Sequence, residues 1–347
     1  MTIPDALTIP AGRVDERLNE VLDAYRAEWG VLDPLFGETI DLLSVLVLSG
    51  GKRVRPAMAY WGYVGAGGDT ADPSISNLGA ALELLQAFAL FHDDVMDGSP
   101  TRRGAPTAHV QAIRMHEANN WAGEARRYGE AIAILAGDVS LVLSDVLLAE
   151  VNSDVRRLWN DLRVEVNLGQ FLDVVGTARG DVPLQTAERI VEYKTARYTI
   201  VRPLQMGAAL AGRNDLETSL GSIGTPLGIA FQLRDDMLGV FGEPEVTGKP
   251  VGDDLREGKP TPLLARARSA ASASQADFLE LIGTDLSTSQ IDELQSILHD
   301  TGAVAGIELQ IEALTEQALD AIARTPLAGD ANRHLAELAT FLASRTS

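Results

Sequence analysis

Two short acidic clusters, far apart in the sequence, constrain the fold of this chain more than any other feature. The first, at 93–97, reads Asp-Asp-Val-Met-Asp and ends an apolar run; the second, at 235–236, follows another. In a helix Asp93 and Asp97 share one face, where like charges repel by about 0.2–0.5 kcal/mol per pair. Beside apolar sequence the cost rises unless a cation compensates it. Oxygen-ligated Mg²⁺, which usually arrives with a phosphorylated substrate, is the natural compensator.

Basic residues lie close to the first acidic cluster and upstream of it. The segment Gly-Gly-Lys-Arg-Val-Arg-Pro contains Lys52, Arg53 and Arg55, and Arg102 and Arg103 follow the first cluster directly. Guanidinium groups bind phosphate oxygens bidentately, and lysine adds a point charge. Carboxylates that bind a metal, together with these cations, predict a diphosphate held from both sides.

The ordered set of motifs resembles the trans-prenyltransferases, the polyprenyl diphosphate synthase family. That family carries Gly-Gly-Lys…Arg, DDxxD followed by Arg-Arg-Gly, a second DDxxD and a late Gly-Lys…Asp…Gly-Lys, which occur here in order between Gly50 and Thr261. DDxxD alone is weakly specific because terpene cyclases also carry it, but the ordered set is strongly specific. The one departure is Gly239, where the family usually has a third aspartate. We expect metal binding to survive with one outer ligand fewer.

Helical periodicity dominates the rest of the chain. Residues 78–91 are almost all apolar and predict a central buried helix, and long helical patterns cover 131–151, 158–175, 187–211 and 219–240. Strand alternation is scarce, and no linker divides the motifs, so we predict one all-α domain over residues 1–347. The resemblance implies a helical bundle of the isoprenoid synthase type around a deep apolar cavity. The segment 242–262, rich in Pro, Gly and charges, is predicted to be an active-site lid.

Composition excludes several classes of protein. Lys and Arg number 29 against 49 Asp and Glu, and the net charge of −20 disfavours nucleic acid or anionic lipid as a partner. The absence of cysteine excludes disulfides and a thiol nucleophile. The first twelve residues lack the pattern of a signal peptide, and no uninterrupted apolar run is long enough to span a bilayer. We therefore expect a soluble, cytoplasmic protein without a membrane span.

The resemblance assigns a role to each matched residue. The metal ligands it implies, for three Mg²⁺ ions, are Asp93, Asp94, Asp97, Asp235 and Asp236. The isopentenyl diphosphate contacts it implies are Lys52, Arg55, Gln86 and Arg103, and Arg53 is counted with these substrate-binding cations. The allylic diphosphate contacts are Arg102, Lys194 and Lys249. Thr195 and Gln232 would direct oxygens toward a cationic carbon, and Gln170 and Asp173 would lie near the metals. Asp253 and Lys259 carry over less directly; next to Lys259, Pro260 stands where the family commonly has arginine.

Several of these residues also have plainer interpretations. The run 52–55 could be a solvated basic turn, and Gln86 could make an ordinary core hydrogen bond. Gln170 and Asp173 could belong to a structural polar network, and the Thr195 hydroxyl could bond to its own helix backbone. His92, next to the first acidic cluster, is interpreted as a packing residue rather than a catalytic base.

The predicted reaction is the condensation of isopentenyl diphosphate with an allylic diphosphate: dimethylallyl, geranyl or farnesyl. Product length follows from the helix beneath Asp93. Ala89, one turn below, leaves the pocket open, and Phe88 is the nearest large aromatic residue. By resemblance this pattern implies geranylgeranyl diphosphate, with farnesyl or longer products as alternatives; an ordinary core role for Phe88 also stays open.

A class I terpene cyclase and a catalytically silent subunit of a heteromeric synthase are further alternatives. The resemblance also implies a homodimer.

Overall fold

The computed structural model describes residues 3–102, 104–180, 182–242 and 251–344, and this part of the chain is almost entirely helical. The α-helices are α1 (Asp5–Trp29), α2 (Pro34–Leu48), α3 (Val54–Gly65), α4 (Pro73–Asp97), α5 (Ala108–Ala118), α6 (Ala125–Leu147), α7 (Ser153–Arg179), α8 (Leu184–Ile190), α9 (Arg202–Leu210), α10 (Glu217–Phe241), α11 (Asp253–Glu257), α12 (Pro262–Ala270), α13 (Ala273–Leu279), α14 (Thr288–Asp300), α15 (Ala303–Arg324) and α16 (Ala331–Ser344). A short antiparallel hairpin joins β1 (Thr101–Arg102) to β2 (Ala105–Pro106). The all-α prediction is confirmed.

Helix α4 is the central helix of the fold. It begins where the Asp72 side chain accepts a hydrogen bond from the Ser74 N–H and Pro73 occupies the first turn. Its apolar residues are buried against α1, α3 and α6. By length and mean hydropathy it could cross a bilayer, but 61% of that stretch is buried inside the protein, as in the core helix of a folded protein. The helix therefore carries the first acidic cluster out of the core on its last two turns.

The helix predicted over 187–211 is continuous but changes its hydrogen bonding. Residues Val191–Val201, between α8 and α9, form a π-helix. Such wide turns are rare and occur often at functional sites. This segment packs against α7 and α10, and it carries Lys194 and Thr195. The sequence pattern predicts the helix but not its change of pitch.

The segment predicted to be a lid is only partly described. Residues 243–250, which include Lys249, lie outside the described residues, as does Arg103. The described part begins at residue 251 and contains α11. The described residues beyond Leu263 are mainly helical, as predicted.

Candidate active site

A large polar cavity lies where α4 and α10 end. We call it the acidic cavity; its volume is about 570 Å³. Both predicted acidic clusters contribute to it, together with residues of α7, the π-helix and α11. Its charged lining residues are Lys52, Asp93, Asp97, Arg102, Asp173, Lys194, Asp235, Asp236, Asp254, Glu257 and Lys259. The structure thus brings together residues that are more than two hundred positions apart in the sequence.

A second, largely apolar space adjoins the acidic cavity. This apolar hollow has a volume of about 170 Å³ and shares Asp93, Lys194 and Thr195 with the acidic cavity. Its other lining residues are Arg55, Gln86, Phe88, Ala89, Leu90, His92, Met96, Val166, Asn167, Gln170 and Tyr198. A charged, polar cavity and a largely apolar space therefore adjoin each other at these three residues.

The first acidic cluster sits at the carboxyl end of α4, where the helix dipole disfavours negative charge. Two cations compensate it: Lys194 Nζ lies 3.2 Å from Asp93 Oδ1, and an Arg102 nitrogen lies 3.5 Å from Oδ2. Burial alone would raise the pKa of Asp93, but the charges of Lys194 and Arg102 outweigh it and lower the pKa. Asp93 is therefore a carboxylate at neutral pH, held between two basic residues.

Asp94 takes a different position from the one predicted for a metal ligand. Its side chain is buried, lines neither the acidic cavity nor the apolar hollow, and accepts from Arg102 at 2.7 Å. In a helix the residue after Asp93 points about 100° away from it, and here Asp94 turns toward the Arg102 guanidinium instead of the cavity. We therefore revise the prediction: Asp94 orients Arg102, whose guanidinium lines the acidic cavity.

The second acidic cluster is tied to the π-helix by a short hydrogen-bonded chain. The Thr195 hydroxyl donates to Gln232 Oε1 at 2.6 Å, and Gln232 Nε2 donates to Asp236 Oδ1 at 2.7 Å. The other oxygen of Asp236 is buried and has no hydrogen-bond partner within the described residues. Asp235 lines the cavity beside it. Thr195 therefore bonds to a side chain across the site rather than to its own helix backbone.

Lys194 is the centre of charge on the π-helix. Its ammonium contacts Asp173 of α7 as well as Asp93. Burial would lower the pKa of Lys194, but these two carboxylates outweigh it and raise the pKa. The π-helix approaches α7 so closely that a Cβ atom on Gly169 would overlap the Lys194 backbone. A residue without a side chain is thus required at 169 to bring Lys194 to the cavity.

The donor set of the acidic cavity fits Mg²⁺. In the described part of its lining, acidic residues outnumber basic residues by seven to four, and carboxylate oxygens are the ligands Mg²⁺ prefers. Desolvation, followed by the negative charge of Asp93, raises the pKa of Asp97 to about 6, and burial raises the pKa of Asp236 well above its usual range. Among the described residues no three such side chains already converge on one point. The cavity therefore carries uncompensated negative charge from separate helices, which a bound cation would relieve.

The basic run before α3 divides between two roles. Lys52 lines the acidic cavity, and Arg55 lines the apolar hollow, where it donates to Gln86. Arg53 is buried and has a left-handed backbone, with φ of 49°, which is uncommon for a residue with a side chain. Its guanidinium forms ion pairs with Asp15 and Glu83 and lines neither space. We therefore revise its predicted substrate-binding role: Arg53 is held in the core by two carboxylates.

The remaining predicted residues lie around the same two spaces. Gln170 lines the apolar hollow, with its amide 3.6 Å from the Met96 sulfur. Lys259 lines the acidic cavity and lies 2.6 Å from Glu257 and 3.5 Å from Asp254. His92 Nε2 lies 3.1 Å from the carbonyl of Ile134, in keeping with a packing role.

Sequence reasoning missed several residues that border the site, among them Asp254 and Tyr198. Asp254, rather than its neighbour Asp253, lines the acidic cavity. Tyr198 lines the apolar hollow with its ring 4.2 Å from the Arg55 guanidinium, and burial raises its pKa to about 12. Tyr198 is one helical turn beyond Lys194, so helical spacing could have indicated it. For Asp254 the two adjacent aspartates gave no means of choosing between them.

Comparison with known proteins agrees with this site. Residues 38–300 match the model of the polyprenyl synthetase family. The chain is 32% identical to the geranylfarnesyl diphosphate synthase of Aeropyrum pernix over 92% of this chain and 96% of that protein. It is 32% identical to the (2E,6E)-farnesyl diphosphate synthase of Mycobacterium tuberculosis over 85% of this chain and 80% of that protein. The crystal structure of geranylgeranyl pyrophosphate synthase from Corynebacterium glutamicum, complexed with isoprenyl diphosphate and magnesium, is 37% identical. It matches with a TM-score of 0.93 over 99% of this chain and 100% of that chain.

The fold and site define a prenyltransferase of isoprenoid biosynthesis. The chain belongs to the polyprenyl synthetase family of trans-prenyl diphosphate synthases. Enzymes of this family depend on magnesium and use isoprenyl diphosphate substrates.

Proposed function

We propose that this enzyme condenses isopentenyl diphosphate with dimethylallyl, geranyl or farnesyl diphosphate, and that its main product is geranylgeranyl diphosphate. The observation that carries the proposal is the junction of the two spaces at Asp93, Lys194 and Thr195. On one side lie acidic clusters and basic residues suited to a metal-bound diphosphate. On the other lies an apolar hollow suited to a prenyl chain.

The carboxylates and cations of the acidic cavity would hold the allylic diphosphate. Asp93, Asp97, Asp235 and Asp236 would bind Mg²⁺, three ions by resemblance, which neutralises the diphosphate and makes it a better leaving group. Lys194 and Arg102, and by resemblance Lys249, would donate hydrogen bonds to that diphosphate as its C–O bond breaks. The oxygens of Thr195 and Gln232 would face the resulting allylic cation.

The second substrate would be positioned by the basic residues on the other side of Asp93. Arg55 and Gln86, already hydrogen-bonded to each other, would hold isopentenyl diphosphate with Lys52 and, by resemblance, Arg103. Its double bond would attack the allylic cation to form the new C–C bond, because the two substrates are held in a reactive orientation. The resulting tertiary cation would lose a proton to the released diphosphate, which restores a double bond.

The length of the product would be set in the apolar hollow. Ala89 and Phe88 both line it, and Phe88 also lines a surface hollow on its far side together with Leu141 and Val164. Phe88 is thus the wall between the growing chain and further space. The relatives make products of several lengths by name, so this wall, rather than family membership, supports the geranylgeranyl assignment.

Chromatography of the products formed from isopentenyl diphosphate and each of the three allylic starters tests the proposal. We expect a linear product that stops at geranylgeranyl diphosphate from every starter. Cyclic products without isopentenyl diphosphate would indicate a cyclase, and silence of the purified chain would indicate a regulatory subunit. Products that stop at farnesyl or run beyond geranylgeranyl diphosphate would refute the assigned length.

We also propose that the enzyme is a homodimer. Leu135, Val142 and Val146 expose an apolar face on α6, and Val164 and Phe171 expose one on α7, where they are 70% and 62% exposed. Exposed apolar surface on adjoining helices is typical of an interface. Light scattering should give about twice 37.0 kDa. Val164→Glu should give a monomer, whereas Val31→Glu, at another exposed apolar site, should leave a dimer; a monomeric wild type would refute the proposal.

The extent and location of the enzyme complete the proposal. Residues 1–347 would act as one polyprenyl synthase domain, since the acidic cavity draws its lining from Lys52 through to Thr261. Members of the family are typically soluble enzymes, and we propose that this one works in the cytoplasm.

A further inference from the structure

A carboxylate from outside α10 occupies the space beside Gly239. A Cβ atom built on Gly239 would overlap Cγ and Oδ2 of Asp254 and would lie 3.0 Å from Oδ1. Both residues line the acidic cavity together with Asp235 and Asp236. The side chain of Asp254 thus stands where the side chain of residue 239 would begin.

The position of Asp254 is well defined by its surroundings. Asp254 is buried, with 9% of its surface exposed, and it lies on α11, which packs against α10. Lys259 Nζ lies 3.5 Å from Asp254 Oδ1, and the Lys259 N–H donates to the Asp254 carbonyl at 3.2 Å. The following turn therefore holds this carboxylate against Gly239 instead of allowing it to turn to solvent.

A buried oxygen of the adjacent carboxylate points to a ligand at this place. Asp236 is 6% exposed, and its Oδ2 atom has no hydrogen-bond partner among the described residues. Such an atom is costly unless a bound group satisfies it. Carboxylates that line one cavity together with an unpartnered buried oxygen favour a hard divalent cation.

We propose that Asp254 supplies the third carboxylate of the second acidic cluster, in place of the side chain that Gly239 lacks, and helps to hold a divalent cation there. The inference rests on the proposed function, because the cation is the one that neutralises a bound diphosphate. It also explains the glycine: any side chain at 239 would displace Asp254. The cluster is therefore built from two separate segments of the chain, 235–236 and Asp254.

Binding of Mn²⁺ in the presence of inorganic diphosphate, followed by electron paramagnetic resonance of the free ion, tests this assignment without turnover. Asp254→Asn keeps the shape of the side chain and should weaken Mn²⁺ binding by about 10–100-fold. Asp292→Asn removes the same charge from an exposed position on α14 and should leave binding unchanged. Wild-type binding by Asp254→Asn would overturn the proposal.

Exchanging the residues at positions 239 and 254 distinguishes cation binding by Asp254 from a merely structural role. Gly239→Asp alone should lower both the melting temperature and Mn²⁺ affinity, because the new side chain collides with Asp254. Adding Asp254→Gly should restore much of both. If the double variant binds Mn²⁺ no better than Asp254→Gly alone, the two positions do not exchange roles and the proposal is wrong.

Asp235→Asn separates this inference from the proposed function. If Asp235→Asn weakens Mn²⁺ binding and Asp254→Asn does not, only the role of Asp254 is refuted. If neither variant changes Mn²⁺ binding, the second acidic cluster holds no cation, and the metal assignment in the proposed function fails for that cluster as well.

Discussion

Replacing Arg53 by methionine should destabilise the folded protein and leave the diphosphate sites almost unchanged. Its three guanidinium nitrogens are all used: Nε donates to Asp15 at 2.9 Å, Nη1 donates to Glu83, and Nη2 donates to the Val47 carbonyl at 2.9 Å. The Arg53 and Glu83 side chains are only 5% and 8% exposed. Methionine would leave the Glu83 carboxylate buried without its cation. This costs about 3–5 kcal/mol in the free energy of unfolding.

Urea unfolding followed by circular dichroism measures this cost, and the chain provides a matched control. Arg26 pairs with Asp41 on the surface, where the side chains are 53% and 45% exposed. Because such pairs contribute only about 0–1 kcal/mol, Arg26→Met should have little effect. In Arg53→Met/Glu83→Leu both members of the buried pair are removed, so most of the lost stability should return.

Steady-state kinetics then decides whether Arg53 also binds substrate. Under conditions where the variant is folded, Arg53→Met should keep the wild-type KM for isopentenyl diphosphate. A large rise in that KM, with little loss of unfolding free energy, would refute the assignment of Arg53 to the core and return it to the diphosphate site.

Three further predictions concern the site itself. Asp93→Ala should cut turnover by several orders of magnitude while the protein stays folded, because a predicted metal ligand is lost; near-normal turnover would contradict the metal assignment. Arg55→Ala should raise the KM for isopentenyl diphosphate roughly tenfold or more, from about 1.5–3 kcal/mol for a charged hydrogen bond, and Lys194→Ala should do the same for the allylic substrate; equal effects on both would mean the sites are misassigned. Ala89→Phe should shorten the product to farnesyl diphosphate, and Phe88→Ala should lengthen it beyond geranylgeranyl, as chromatography would show; an unmoved product distribution would count against the role of this wall.

The helical architecture was predictable because the spacing of apolar residues along the chain is enough to indicate helices. Apolar spacing indicated the core helix over 78–91, and the structure extends it to Pro73 and Asp97. The first acidic cluster therefore belongs to the helix, as its spacing required. The motifs also indicated most of the residues around the cavity, because carboxylates and cations in that order have little use in a solvated surface.

The direction in which each side chain points and the change of helical pitch at the π-helix were not predictable. Both depend on contacts between distant segments. The adjacent aspartates 93 and 94 look alike in sequence, yet only one lines the cavity. The π-helix at Val191–Val201 arises where the segment packs closely against α7 and α10, which no periodicity in its own sequence reveals. The Asp254 carboxyl group occupies the space where a side chain of residue 239 would lie, fifteen residues earlier in the sequence. The sequence motif around Gly239 does not reveal this contact.

The basic run before α3 shows how a structural cation and a substrate-facing cation can stand two positions apart. Arg53 reaches Glu83 on α4, and Arg55 reaches Gln86 one turn further along the same helix. Glu83 and Gln86 are the two polar residues within an otherwise apolar run of α4, and each accepts a hydrogen bond from one of the two arginines. The Arg53–Glu83 pair lies in the core, whereas Arg55 lines the apolar hollow, over the ring of Tyr198. Stability and substrate binding are therefore separable within this run: loss of the buried pair should lower the free energy of unfolding, and loss of Arg55 should raise the KM for isopentenyl diphosphate.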